Sequence, residues 1–519
     1  MKVVSSTEMY AMERAAIQTN RVPDIVLMEN AAYKTSLRCL DFLAGINNPR
    51  AVIVAGPGNN GGDGVAVARY LYMNDVETDV LFLGDPGGAL PDGLAVNIEI
   101  IKTLPVRFIN YNEKNFLSAA ADAIGSAHLV VDALFGIGLK RPAEGIYDTI
   151  IKMINDNARR VLSVDVPSGV DADSGRVAGR AVRADATVTF TYPKVGLLLY
   201  PGAELAGEVF TEDIGITKLC RNHRTVVETL GRGDVMTLLP VRGKNTNKGS
   251  YGKIYAFAGC DGMPGAACLC CGAAYAAGAG LVRACVTEGV ARVINARLPE
   301  AVTAVLPNEN GFLYSESFET IKTSLSEADG IILGPGLGRT ERTADFVRSV
   351  LKCADAPLVL DADGLNAIAD DPGILLNLKK PAVVTPHPGE MSRLIKKTIA
   401  EITDDALETA RGFAGKYGVV TVLKGARTVI ASPDGSAYIN TTGNPALAKA
   451  GSGDVLAGVI AAFIAQGADA CRAAALGAYI HGEAGDAAAA AIGSYGVLAG
   501  DLFKYIPRVI EGYCGQARL

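Results

Sequence analysis

Near the C-terminus, Gly451-Ser452-Gly453-Asp454 opens an apolar run that is closed by Gly467. Glycines let the backbone N–H groups of Gly451, Ser452 and Gly453 face one point. The N-terminus of the helix expected over Asp454–Gln466 adds its partial positive charge, so an anion is expected there. Asp454 aims a carboxylate at the same place. An acid beside a phosphate is costly unless it does chemistry, such as taking the proton of an attacking hydroxyl. The competing reading makes Asp454 a helix N-cap behind a Gly-rich loop.

A second set of candidate groups lies in the first half, where Gly56-Pro57-Gly58-Asn59-Asn60-Gly61-Gly62-Asp63-Gly64 follows a short apolar strand. The Gly56-x-Gly58-x-x-Gly61 spacing fits a dinucleotide fingerprint, with Glu77 or Asp79 at a plausible distance. Asp63 is electrostatically wrong for a pyrophosphate at the helix start. Asn59 and Asn60 suit oxygen coordination or a nicotinamide-like amide. Asp132 ends one strand before Gly136-Ile137-Gly138-Leu139-Lys140-Arg141, and Asp165 and Ser168 stand at the tip of another. Asn60, Asp132 and Ser168 could surround a hard monovalent cation with oxygen. Ordinary turn chemistry at strand ends is the alternative.

These groups need scaffolds that present strand tips. Short apolar runs alternate with amphipathic segments: 51–55, 79–83, 128–132, 160–165 and 186–190 in the first half, then 253–258, 281–286, 330–333, 358–360, 382–385, 419–424 and 428–431. A helix is expected over 65–73 after the first Gly loop, and a small-residue helix over 266–280. This alternation predicts two α/β domains, each a parallel sheet covered by helices with ligands at the strand C-termini. The segment 213–246, rich in Lys, Arg and Gly, reads as a joint. The expected division is 1–216, a connector 217–244, and 245–519.

At 519 residues, 49% apolar and 20% charged, the chain is long enough for more than one buried core. A net charge of −6 argues against a nucleic-acid surface. The apolar run 455–465 is too short to span a bilayer, and the first residues lack a signal core, so a cytoplasmic protein is expected. The ten cysteines include Cys268, Cys270 and Cys271 but no second pair at zinc spacing, and the four histidines are far apart. No Walker loop occurs.

Residues 8–216 resemble the NAD(P)H-hydrate epimerase domain of bifunctional NAD(P)HX repair enzymes. The resemblance is carried by 57–64, Asp132-Ala133-Leu134-Phe135-Gly136-Ile137-Gly138, Asp165-Val166-Pro167-Ser168-Gly169-Val170, Thr191-Tyr192-Pro193-Lys194 and Pro201-Gly202. It implies a Rossmann-like three-layer αβα fold and a potassium ion at Asn60, Asp132 and Ser168. It also implies NAD(P)HX contacts from Asn59, Asn60, Gly61, Gly62 and Asp63, from Gly136, Ile137, Gly138, Leu139, Lys140, Arg141 and Pro142, and from Asp165, the candidate catalytic carboxylate.

Residues 245–500 resemble the ribokinase-like superfamily and, within it, the NAD(P)H-hydrate dehydratase. The carrying segments are Lys248-Gly249, Gly262-Met263-Pro264-Gly265-Ala266, 334–338, Asp361-Ala362-Asp363-Gly364-Leu365-Asn366, His387-Pro388-Gly389-Glu390, Lys424-Gly425 and Gly451-Ser452-Gly453-Asp454. Asn247 and Ala450 depart from the family pattern, where histidine and glycine are common. The resemblance implies an ADP-dependent reaction giving AMP and phosphate, with Asp454 as base and the Gly451, Ser452 and Gly453 amides as anion hole. Lys424, Gly425, Ala426, Arg427, Thr428 and Gly453 would hold the nucleotide, Mg²⁺ would screen its phosphates, and Ala266, Gly336, His387 and Asp454 would line the NAD(P)HX side. The expected partners are NADHX and NADPHX, with no nucleic acid and no membrane, in a homo-oligomer. A vitamin or sugar kinase with a non-catalytic N-terminal binding domain is the alternative. Domains resembling the first half serve as scaffolds in messenger-RNA decapping complexes, but Asp63, Asp132 and Asp165 speak against a purely structural role. A dehydrogenase built on Gly56-x-Gly58-x-x-Gly61 is a fourth, weaker reading.

Overall fold

The computed structural model describes residues 1–139, 141–220 and 223–514. The chain divides into two compact units, Lys2–Val227 and Glu228 onward.

In the first unit seven strands pair in the order Arg107–Asn110, Glu77–Phe82, Arg50–Ala55, Leu129–Ala133, Val161–Val164, Ala186–Phe190, Glu208–Glu212. All the pairings are parallel. Side chains alternate across the pleat. Ala51, Ile53 and Ala55 enter one core with the helices Asp24–Leu43, Asn59–Tyr72 and Asp92–Lys102. Val52 and Val54 enter the other with Phe116–Ser126 and Ile146–Asn157. Burial on both faces explains why these strands read as continuous apolar runs. The connections run outward in opposite directions from Arg50–Ala55 and Leu129–Ala133. Their carboxyl ends therefore form the crevice where open α/β sheets bind ligands.

The Gly-rich segment after Arg50–Ala55 departs from expectation. The helix starts at Asn59 rather than at Val65, so Gly61, Gly62, Asp63 and Gly64 are helical. These glycines serve close packing: a Cβ on Gly61 would lie 1.9 Å from the Gly56 carbonyl oxygen, and one on Gly64 2.4 Å from Ala133 Cβ. The strands Arg107–Asn110 and Glu208–Glu212 at the sheet edges were not anticipated; each is short and bears polar or charged residues at both ends.

In the second unit parallel strands run in the order Val302–Val305, Leu281–Val286, Lys253–Phe257, Gly330–Leu333, Leu358–Leu360, Ala382–Val384 and Val420–Leu423. Val429–Ala431 and Ala437–Ile439 then continue the sheet antiparallel, a feature the parallel expectation did not contain. One face is covered by Pro264–Ala276, Ser452–Ala465, Ala470–Ile492 and Leu502–Cys514; the many Ala of the first three and Leu502, Ile506 and Tyr513 of the last share a core with the sheet. Gly458 makes this approach possible, since a Cβ there would lie 2.2 Å from the Cys270 carbonyl oxygen. Ser452–Ala465 is thus apolar around nearly its whole circumference and presents only its N-terminus to the strand tips. Among the described residues no helix is long and apolar enough to cross a membrane.

Candidate active sites

In the first unit Asp132 is fully buried at the end of Leu129–Ala133. Its Oδ1 accepts the Ser168 hydroxyl at 2.6 Å and its Oδ2 accepts Ser163 Oγ at 2.8 Å and the Ser168 amide at 2.9 Å. Burial pushes its carboxyl above the usual range, while these bonds pull it back. Among the described residues Asp132 has no Lys or Arg partner. The side-chain amide nitrogen of Asn60 is buried with no partner, and the Asn60 side chain lies against Gly136. A buried carboxylate with no Lys or Arg partner among the described residues, beside the Ser168 hydroxyl and with the Asn60 side-chain oxygen near Gly136, fits a monovalent cation held by oxygen, whereas the unpartnered Asn60 nitrogen is a donor and calls for an acceptor.

One strand over, Asp165 has φ +66°, a left-handed conformation rare for a residue with a side chain. The Val166 amide donates to the Val164 carbonyl across it at 2.8 Å. Thr191, at the next tip, repeats the arrangement with φ +65° and a 2.7 Å bond from the Tyr192 amide to the Phe190 carbonyl. Such tight turns cost about 1–3 kcal/mol each and survive only where neighbours enforce them. Lys194 enforces the first: its buried ammonium donates to Asp165 Oδ1 at 2.5 Å, to Thr189 Oγ1 at 3.0 Å and to the Phe190 carbonyl at 3.1 Å. Asp63 and Glu13 face the same pair. Burial first, then the Asp165 and Glu13 charges, hold Asp63 well above the usual carboxylate range. Burial and the Asp165 charge push Glu13 up to about 7.

In the second unit three strand tips and one helix converge. Lys424, after Val420–Leu423, donates to Asp361 Oδ1 at 2.7 Å and stands 3.9 Å from Glu390. Burial pulls its ammonium down, but Asp361 and Glu390 outweigh this and hold it above its ordinary value. Gly453 sits directly over Lys424 Nζ. Asp454 occupies the first turn of Ser452–Ala465, whose N-cap is Gly451 at φ +88°, so Asp454 is not itself the cap. Burial, and next the Asp361 charge, push Asp454 up to about 7. Ser452 Oγ lies 3.2 Å from Nε2 of His481, a buried imidazole lowered to about 4 by desolvation. This arrangement supplies an anion site, a cation to neutralise it, and a carboxyl that changes protonation near neutrality.

The remaining sequence candidates fall around these two centres. Gly136 borders Asn60, Gly138 approaches the Tyr10 hydroxyl, and Ile137 between them is buried. Leu139 ends that stretch, Arg141 and Pro142 are exposed, and Lys140 lies outside the described residues. Asn59 is exposed at the helix start. Ala266 and Gly336 meet, a Cβ on Gly336 falling 2.7 Å from that of Ala266. His387 caps Pro388–Ile395, its Nδ1 accepting the Gly389 and Glu390 amides at 3.0 and 3.3 Å; burial, then Lys424, lowers its basicity. Gly425, Ala426, Arg427 and Thr428 form the hairpin turn between Val420–Leu423 and Val429–Ala431. Sequence reasoning gave no role to Lys194, Asp361, Glu13 or Asp486. Asp486 accepts the Gly443 amide and the Asn444 side chain at 2.9 and 2.7 Å, holding the segment that leads into the anion loop.

Comparison with known proteins matches residues 254–508 to a family described as NAD(P)H-hydrate dehydratase and residues 24–196 to one described as YjeF-related protein N-terminus. A bifunctional NAD(P)H-hydrate repair enzyme Nnr from Moorella thermoacetica is 42% identical over 98% of this chain and 97% of its own. One from Thermofilum pendens is 39% identical over 98% and 96%. A solved ADP/ATP-dependent NAD(P)H-hydrate dehydratase from Bacillus subtilis, co-crystallized with ATP/Mg²⁺, is 32% identical, covers 56% of this chain and 100% of that one, and has a TM-score of 0.48.

Proposed function

We infer the chemistry of each half from one premise: the chain belongs to the bifunctional NAD(P)H-hydrate repair enzymes. It is an epimerase and an ADP-dependent dehydratase in one polypeptide. It interconverts R- and S-NAD(P)HX and returns the S form to NAD(P)H, giving AMP and phosphate.

The observation that supports the residue assignment best is Asp454, a carboxyl poised near 7 at the anion-binding end of a helix beside the Lys424–Asp361 pair. We propose that Asp454 takes the proton of the C6 hydroxyl as that oxygen attacks the terminal phosphorus of ADP. Amides of Gly451, Ser452 and Gly453 stabilise the transferring charge, and Lys424 balances it. Phosphate then leaves C6 as C5 loses a proton, which restores the ring double bond. The hairpin turn Lys424–Thr428 and Gly453 hold the nucleotide, and Ala266, Gly336 and His387 line the other substrate. Among the described residues no three carboxylates, histidines or cysteines form a metal cage. A Mg²⁺ ion bound with the nucleotide would screen its phosphate charge.

In the first half Asn60, Asp132 and Ser168 would hold K⁺, which supplies the charge that a buried Asp132 lacks and fixes the loops around it. Asp165, set by Lys194, is the carboxylate offered to C6, with 59–63 and 136–142 around the substrate. The test is Asp165→Ala in the full chain, given an R/S mixture of NADHX with ADP. Recovery should show a fast phase for the S fraction and then slow to the uncatalysed epimerisation rate. Conversion of the R fraction at the unaltered rate would refute the assignment.

A further inference from the structure

The helix Ser6–Gln18 carries a group that the reading of the epimerase site leaves unused. Its start is fixed twice. Ser5 and Glu8 form a reciprocal capping box, and Ser6 Oγ donates to Asp173 Oδ2 at 2.7 Å. Met9, Met12 and Ala16 are buried on its inner face. Tyr10 approaches the substrate-loop residue Gly138, where a Cβ would fall 3.0 Å from the tyrosine hydroxyl. Glu13 is one turn on, on the same side of the helix, and its carboxyl is near enough to feel the charges of Asp165 and Lys194. Among the described residues it makes no hydrogen bond and no ion pair.

We propose that Glu13 is the second proton carrier of the epimerase site, working with Asp165 so that one carboxyl gives a proton to the departing hydroxyl and the other takes one from the returning water. This rests on the first half being the epimerase. Three carboxyls, Glu13, Asp63 and Asp165, lie close enough to feel one another's charge and that of Lys194, whose ammonium is bonded to Asp165. They cannot all be charged together. Asp63 is held well above the usual carboxylate range by burial and by the Asp165 and Glu13 charges. Glu13, raised to about 7 by burial and by Asp165, can change state near neutrality. The groups facing Glu13 are Asp63 from Asn59–Tyr72, Asp165 and Lys194 from the strand tips, and the Cys220 thiol.

The step balances without a further reactant. The Glu13 carboxyl protonates the C6 hydroxyl, and the C6–O bond breaks with its electron pair leaving on water. The N1 lone pair forms an iminium with C6. Water adds to the opposite face, its new C–O bond using an oxygen lone pair, and its proton passes to the Asp165 carboxylate. The two carboxyls have then exchanged states, ready for the reverse passage.

The experiment measures epimerisation in the full chain as the slow phase of R/S-NADHX recovery, with ADP in excess, from pH 6 to pH 9. In the unaltered chain this rate should fall above about pH 7, as Glu13 loses its proton. Glu13→Gln should lower it about 10²–10³-fold and remove that fall, with the S-phase rate unchanged. Glu13→Asp, which keeps a carboxyl, should retain the pH dependence. A Glu13→Gln chain that epimerises at the unaltered rate, or that is slower with the same pH profile, overturns the proposal. If the unaltered chain does not epimerise, or Asp165→Ala epimerises normally, the epimerase reading falls and takes this one with it.

Discussion

Replacing Asp454 by Asn should remove activity and add stability, and the two effects have one cause. Asp454 is raised from 3.8 to about 7 by burial and by the Asp361 charge. At pH values between these, the folded chain keeps a proton that the unfolded chain has released. Stability is therefore fully present below the unfolded value and is lost as pH rises to the folded one. About three units at about 1.4 kcal/mol each give an upper bound of about 4 kcal/mol. Partial exposure of the site and relaxation reduce this to about 1–3 kcal/mol. Asn carries no charge and escapes the penalty. The variant's advantage should be near zero at pH 4, grow to pH 7 and stay constant above it. For a unit of about 290 residues, 2 kcal/mol is about 3 °C in the unfolding midpoint. Dehydration should fall about 10²–10⁴-fold while nucleotide still binds, because the loop amides remain. Thermal scans at pH 4.5 and 8, paired with dehydration assays, check both halves. A variant that still dehydrates, or whose stability advantage over the unaltered chain is no larger at pH 8 than at pH 4.5, refutes the reasoning.

Lys424→Met should leave Asp361 buried and unpaired, costing about 3–5 kcal/mol, and should raise the KM for ADP; denaturant titration and nucleotide kinetics measure the two. His481 is lowered from 6.5 to about 4 by burial. Its contribution is present above pH 6.5 and is lost as pH falls toward 4, by up to about 3 kcal/mol. A His481→Leu chain should lack that part of the acid loss, which unfolding midpoints at pH 7 and pH 4.5 would show.

Strand tips were legible because both sheets are buried on both faces, so Val161–Val164 or Gly330–Leu333 appears as an unbroken apolar run ending in polar residues. Edge strands such as Glu208–Glu212 were not, since half-exposed residues dilute the signal. Asn59–Gly64 read as a loop because glycine disfavours helix interiors. Here close packing against Gly56, Met28 and Ala133 decides instead. At the sites, residues within a motif could be named, but pairings between distant segments could not. Lys194 meets Asp165 only because Ala186–Phe190 lies beside Val161–Val164. Lys424 meets Asp361 across the neighbouring tips of the second sheet. Glu13 sits in an amphipathic helix where a charged residue ordinarily faces solvent, and nothing in its local sequence marks the carboxyl as half-buried.

The most direct test of the account gives an R/S mixture of NADHX and ADP to the unaltered chain and follows dihydronicotinamide absorbance, AMP and phosphate together. The account predicts complete recovery of NADH, including the R fraction, with one AMP and one phosphate released per NADH formed. A lasting phosphorylated product without phosphate release, or recovery in the absence of any nucleotide, would contradict it.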